Sequence, residues 1–276
     1  MINIPIFYCD KVQKENMFEF TNFGDILNKF IFYHFGINII ADTSNPKLYA
    51  IGSVLNNIKD DYNGFIWSSG MLGPRSKIKC IRKPLAVRGK LTKSFFDNID
   101  NDVVLGDGAL IIDRLYKPKI PIKYKLGIMP HYVDLTYNER DNTPFYNYEI
   151  LKRQDVILID IRNDIKSIIH TMLSCENIIV SCLHGAVVCD SYNIKHGFFY
   201  TKHSNYILFN NLQHSFKFND YYSAFNMKFN KPELFLKNDT TIEECLKHCI
   251  YNNKPNIEHI KDNLIKTLKI LKNNLI

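Results

Sequence analysis

Short, continuously apolar, β-branched runs recur along this chain with helical patterns between them, and this alternation restricts the fold more than any other feature. The runs are IPIFY (4–8), KLYAIG (47–52), GFIWSS (64–69), PLAVR (84–88), DVVLG (102–106), YKLGIM (124–129), DVILIDI (155–161), NIIVS (177–181) and GFFYT (197–201). A strand with one wet face alternates polar and apolar residues. A run that is apolar throughout belongs instead to a parallel sheet covered on both faces. Parallel neighbours need a crossover, usually a helix. After Asp25, the residues Leu27, Phe30, Ile31 and His34 recur at helical spacing. Asp164 reads as an N-cap ahead of Ile165, Ile168, Ile169, Met172 and Leu173. The final segment places Ile257, Ile260, Leu264, Leu268, Leu271 and Leu275 on one face of an amphipathic helix. Together these patterns predict an α/β protein made of βαβ units. The Lys/Pro-rich stretch YKPKIPIKYK (116–125) separates two sets of units. The expected organisation is therefore an N-terminal half (1–118) and a C-terminal half (119–276) that includes the terminal helix. Each half is expected to be doubly wound and Rossmann-like, the two facing a cleft.

A chain of 276 residues has room for two such cores. With 46% hydrophobic and 23% charged residues it is not a disordered tail, a collagen-like fibre or a disulfide-stapled miniprotein. No apolar run approaches the roughly 18 residues of a membrane span, and MINIPIFYCDKVQKENMF lacks the pattern of a secretory leader. The formal charge is 35 − 28 = +7, and 28 of the basic residues are Lys against seven Arg. Lys, Asn, Ile, Phe and Tyr share A/T-rich codons, so the lysines read as a solvated surface and each rare Arg as a site candidate. Lysines scattered through the whole chain, with no basic stripe interleaved with aromatics, argue against nucleic-acid binding. Seven cysteines without a CxxC pair read as free thiols in a reducing compartment, and the location expected is cytoplasmic.

Polar and glycine clusters follow the predicted strands: TNFGD (21–25), IGS (51–53), WSSGM (67–71), VRGKLT (87–92), LGDGA (105–109), MPHYVD (129–134) and SCLHG (181–185). Ligands of open parallel sheets bind outside the carboxyl ends of the strands, where helix N-termini present N–H groups to anions. Common motifs fail. Gly106-Asp107-Gly108 starts a dinucleotide fingerprint, but Ile111 stands at its third glycine position, and there is no phosphate loop or GxSxG elbow. Asp100-Asn101-Asp102 sits in a polar turn before a strand and reads as a solvated loop. No His, Cys, Asp or Glu set has metal-ligand spacing, so no metal is expected.

Taken in order, eight segments resemble the polysaccharide pyruvyltransferases: TNFGDILNKFI, YAIGSVL, IWSSGM, LAVRGKLTK, LGDGALII, YKLGIMPHYVD, IIVSCLHGAVVCDSYNI and FKFNDYYSAF. The resemblance implies a GT-B-like two-domain fold and transfer of the enolpyruvyl skeleton of phosphoenolpyruvate to two sugar hydroxyls. A cyclic pyruvate ketal forms on a glycan or activated sugar and phosphate is released. Phosphoenolpyruvate is then a co-substrate, and no separate cofactor is implied.

That reaction needs cations or N–H groups for a phosphate and a carboxylate, a proton donor near C3, and a base for the hydroxyls. Arg88 ends an apolar strand, where a planar guanidinium suits a ligand bearing both anions. His184, between Ser181 and Gly185 in the matched segment, is expected to act as acid or phosphate ligand. A helix N-terminus disfavours the imidazolium, and a bound phosphate favours it. Asp25, with Asn22 and Gly24 in the first βα turn, is expected to cap the following helix and, if it faces the cleft, to serve as base. Ser53, Ser69 and Gly70 are expected as rim donors, and His131 and Asp134 as sugar ligands or a second acid/base pair. The sequence departs from the family pattern at Cys182, where many members carry Arg, and this puts the usual Arg-His phosphate clamp in doubt. The alternatives are a GT-B glycosyltransferase using a nucleotide sugar and a catalytically inactive carbohydrate-binding relative.

Overall fold

Each of the nine apolar runs contributes a strand in the computed structural model, which describes residues 3–8, 22–137, 145–201, 212–251 and 253–275. The chain begins β1 (Asn3–Phe7), α1 (Phe23–His34), β2 (Asn38–Ala41), β3 (Leu48–Tyr49), β4 (Phe65–Ser69), β5 (Ala86–Val87), α2 (Lys90–Lys93), β6 (Val104–Leu105) and α3 (Ile112–Leu115). It continues β7 (Tyr124–Met129), α4 (Tyr132–Tyr137), β8 (Val156–Leu158), α5 (Ile165–Leu173), β9 (Cys175–Val180), α6 (Leu183–Tyr192) and β10 (Lys195–Tyr200). It closes with α7 (Leu212–Ser223), β11 (Leu234–Phe235), α8 (Ile242–Lys247) and α9 (Ile257–Leu275). No helix among the described residues is long and apolar enough to cross a membrane.

The chain forms two compact units. The first comprises Met1–Leu115, Leu212–Phe229 and Lys254–Ile276; the second comprises Tyr116–Asn211 and Asn230–Asn253. In the first, the sheet runs β2-β1-β3-β4-β5-β6, and every paired neighbour is parallel. In the second the order is β11-β10-β9-β7-β8, again parallel throughout. Numbered within its own unit, the second sheet reads 2-1-3-4-5 from its β8 edge, the order of the first five strands of the other sheet. The order reverses between β1 and β3 in one unit and between β7 and β9 in the other. Ligands of open α/β sheets bind at such switch points.

The expected division at 118/119 places the terminal helix in the second half, and the structure corrects this. The boundary falls after Leu115, and both α7 and α9 return to the first unit. Leu264, Leu268 and Leu271 of α9 are fully buried there, Trp67 Nε1 donates to Thr267 Oγ1 at 3.0 Å, and Lys261 reaches Asp113 at 3.0 Å. An apolar stripe buries equally well on either sheet, so periodicity does not say which core receives it. The edge strands β2 and β11 were not expected. β2 offers only the three-residue run Ile39-Ile40-Ala41, of which Ile39 alone is buried, and β11 is two residues long, so both are too short to stand out as buried strands.

Two helices matter for the site. Asp164 caps α5 as expected, its carboxylate accepting the Ser167 N–H at 3.0 Å. In α6, Leu183, Ala186, Val187, Val188 and Cys189 are all buried, as are Asp190 and Ser191, so the helix is enclosed on most sides.

The thiols fit that packing. Burial pushes Cys175, Cys245 and Cys249 up to about 12, Cys80 up to about 11, and Cys189 well above its ordinary range. Thiolate is the reactive form, and at pH 8 a thiol of pKa 12 is ionised in only about one molecule in ten thousand. Iodoacetamide at pH 8 should therefore leave these five residues unmodified in the native protein and modify them after urea unfolding. Peptide mass spectrometry reads the result, and rapid native labelling of any of the five would contradict it. Cys9 lies outside the described residues.

Candidate functional site

In the first unit the site loops converge at the carboxyl ends of the strands. Asn22, with extended backbone, caps α1 by accepting the Gly24 N–H at 3.3 Å. The expectation that Asp25 is the cap is thereby corrected: Asp25 lies in the first turn, buried, its Oδ1 3.4 Å from where a Cβ on Gly52 would stand. Asn28, one turn on, binds the end of β3 reciprocally, donating to Ile51 O (2.8 Å) and accepting the Ile51 N–H (2.9 Å). Gly52 has φ +129°, a backbone conformation that side chains rarely adopt. Its carbonyl accepts the Gly70 N–H (2.9 Å) and the Ser69 hydroxyl (3.3 Å).

Arg88 is the centre of this region, and it is fully buried. Its Nε donates to Asp220 Oδ2 at 3.0 Å, Nη1 to Ser53 Oγ at 2.6 Å and Nη2 to Met71 O at 2.5 Å. Asp220 also accepts the Thr92 N–H (2.8 Å) and hydroxyl (2.6 Å). Gly70 lies against the guanidinium, where a Cβ would stand 2.3 Å from Cζ. The fork expected to face an anion is thus turned onto a carboxylate of its own unit, and Ser53, expected as a rim donor, accepts from it. This buried ion pair ties loops 51–53, 69–71 and 88–92 to α7.

Asp220 escaped the sequence reading although it lies in a matched segment. The signal was there: a carboxylate among Phe218, Tyr221 and Tyr222, all buried, has to be paired.

The second unit assembles another set where the β7–β9 ladder ends. Ser181 N–H donates to Met129 O (3.1 Å), and Ser181 Oγ accepts the His131 N–H (2.7 Å) while donating to Asp134 Oδ2 (2.6 Å). Thr201 Oγ1 donates to Asp134 Oδ1 at 2.5 Å. Asp134 is fully buried with both oxygens engaged. It organises the loops that carry His131 and Ser181, and the role of sugar ligand expected for it is not what its surroundings provide. His131 is half-buried beside Tyr132 (ring centroids 4.3 Å apart).

The next turn is the start of α6. Cys182 occupies its N-cap position, and its thiol makes no capping bond to the helix that carries His184. His184 is half-buried at this turn. Gly185 permits close packing, since a Cβ there would stand 2.9 Å from both Cys182 Sγ and Met129 Sδ. The structure therefore brings His131, Asp134 and Ser181 into one network, with His184 and Gly185 on the turn that follows. Asn22, Gly24, Asp25, Ser53, Ser69, Gly70 and Arg88 belong to the other unit. Among the described residues, no group of three or more His, Cys, Asp and Glu side chains is placed to hold a metal ion.

Comparison with known proteins is sparse. No family model matches the chain. An uncharacterized protein of Acanthamoeba polyphaga mimivirus is 30% identical over 189 residues, covering 63% of this chain and 62% of that protein. The chain thus spans less than two thirds of that relative's length. No solved structure matches.

Proposed function

We propose that this protein transfers the three-carbon skeleton of phosphoenolpyruvate to two hydroxyls of a sugar, releasing phosphate and leaving a cyclic pyruvate ketal. The observation that carries this reading is the placement of the segments that resemble polysaccharide pyruvyltransferases. Seven of the eight lie at the carboxyl ends of strands in two parallel sheets of like order, the eighth falls in α7, and His131, Ser181 and His184 gather at the switch point of the second sheet. A GT-B-like two-domain fold belongs to the same proposal.

In this reading His184 gives a proton to C3, which leaves C2 electrophilic. One sugar hydroxyl adds to C2 and gives up its proton, with Asp25 as the assigned base. Phosphate then departs, and the second hydroxyl closes the ketal with loss of its own proton. Overall, the two hydroxyl protons leave, one proton enters at C3 and one departs with phosphate. Backbone N–H groups at the strand ends supply fixed donors for the anionic substrate in this reading.

A nucleotide-sugar glycosyltransferase is the second reading, and one observation favours it: the fork of Arg88 is committed to Asp220. Incubating candidate sugars with phosphoenolpyruvate should yield a pyruvyl adduct by mass spectrometry and one phosphate per ketal. Phosphoenolpyruvate at 100 times its dissociation constant should also add about 2.7 kcal/mol of stability in thermal shift. Stabilisation by a nucleotide sugar with no adduct from phosphoenolpyruvate would transfer the assignment to the second reading.

A further inference from the structure

Arginine is scarce here, and six of the seven lie among the described residues. Arg75 is spent on the carbonyls of Leu55, Asn56 and Ile58. Arg82 lies over the Phe65 ring, Arg114 pairs with Glu258, and Arg153 pairs with Asp155 ahead of β8, at the opposite end of the sheet from the site loops. Arg88 is buried on Asp220. Arg162 differs. It follows β8, whose partner β7 leads into His131, and the two chains stay paired through Ile159 N–H to Ile128 O at 2.8 Å. It therefore leaves the sheet at the carboxyl edge, on the strand next to the switch point.

Its geometry is that of an aimed cation. Asp160 accepts from Nε (2.9 Å) and Nη2 (2.6 Å), the Arg162 N–H closes the same turn on Asp160 Oδ1 (3.0 Å), and Nη2 also donates to the Tyr146 hydroxyl. Tyr146 in turn donates to Asp160 Oδ2 at 3.2 Å, and its ring centroid is 5.8 Å from Cζ. The 3-10 turn carrying Tyr146 (Phe145–Asn147) packs against α4, the helix that starts beside His131. Nη1 makes no hydrogen bond or ion pair among the described residues, and the side chain keeps 29% of its surface exposed. Burial pushes the Asp160 carboxyl up, but the hydrogen bonds and charge of Arg162 outweigh it and hold it below the ordinary range. The pair thus stays ionised, with one nitrogen left over.

We infer that Arg162 is an anion-contacting residue of the second unit, its Nη1 receiving a carboxylate or phosphate oxygen of a small substrate, with Asp160 and Tyr146 as the residues that aim it. On the proposed function, which this inference deepens, the substrate is phosphoenolpyruvate. Arg162 then supplies a cation to a unit that has Cys182 where the resemblance leads one to expect arginine. Preorganisation matters because a guanidinium already held by two neighbours loses little freedom when a ligand arrives.

The test is isothermal titration of wild type and Arg162→Gln with phosphoenolpyruvate, inorganic phosphate and pyruvate in separate runs. Losing one charge-assisted hydrogen bond should weaken phosphoenolpyruvate binding about 10- to 100-fold. The ligand-free melting temperature should hardly move, because a partly exposed ion pair contributes little to stability. Of the two simpler anions, the one whose binding depends on Arg162 identifies the oxygen it contacts. Should Arg162→Gln fail to fold, Arg162→Lys replaces it with the same loss expected, since one ammonium cannot hold Asp160 and face outward together. Equal binding by wild type and variant overturns the role of Arg162 and leaves the pyruvyltransferase reading intact. Binding of none of the three anions by wild type overturns the role as well, and ketal formation by mass spectrometry then judges the reading separately. Arg162-dependent phosphate binding with no ketal formed supports the anion site and removes the reading.

Discussion

Arg88→Ala should cost about 3–5 kcal/mol of folding stability, the range found when one partner of a buried ion pair is removed. Domains are commonly stable by only about 5–15 kcal/mol, so a loss of this size threatens the first unit as a whole. The cost comes less from the missing attraction than from what is left behind. Asp220 is fully buried and would keep its charge with Thr92 as the remaining donor to it among the described residues, while Ser53 and the Met71 carbonyl would lose their donor. Replacing both members of the pair with apolar residues of similar volume should recover much of the loss. The double-mutant cycle therefore separates the worth of the pair from the penalty of an orphan. Gly89→Ala should destabilise by about 1–3 kcal/mol for a related reason. A Cβ on Gly89 would stand 1.8 Å from the carbonyl oxygen of Asp220, and backbone has to move to admit it. The protein has one tryptophan, Trp67, buried in this unit, so its fluorescence in a urea titration reports this core. A loss below about 1 kcal/mol for Arg88→Ala would mean that the pair is not a structural tie.

His184→Ala should lower turnover of the proposed reaction by about 100- to 10,000-fold, the usual contribution of a positioned general acid. The fold should survive, because His184 is half-buried on the first turn of α6 and the buried apolar residues of that helix are untouched. Far-ultraviolet circular dichroism and the melting temperature supply the control. His184→Gln, which keeps a hydrogen-bonding side chain but cannot donate a proton as imidazolium does, should be about as impaired. Near-normal turnover in either folded variant would make His184 a structural residue and move the acid role elsewhere, with His131 the next histidine on the same sheet edge.

Much of this architecture could be read from local patterns. A continuous apolar run such as NIIVS or YKLGIM states that a strand is covered on both faces, whatever covers it. Asp164 ahead of an apolar helical stripe states a helix start, and the cap is there. The glycine and serine clusters mark βα turns, and the sheets place them at the carboxyl ends of the strands. In each case the information lies within about ten residues, because period and cap depend only on backbone geometry.

What only the tertiary structure decided is partnership. Arg88 and Asp220 are 132 residues apart, and nothing near either one names the other. Their pairing turned an expected ligand fork into a tie between loops, just as Ser181 and Thr201 turned Asp134 inward. Trp67 and Thr267, 200 residues apart, show α9 serving the first unit, although its apolar stripe would suit either sheet. The same holds for Arg162, an ordinary loop arginine by sequence, which Asp160 and Tyr146 aim outward. A side chain's charge and shape are written in its own codon. Whether that charge is satisfied within the fold or left for a ligand depends on which distant groups the packed chain brings within about 3 Å of it, the range of a hydrogen bond.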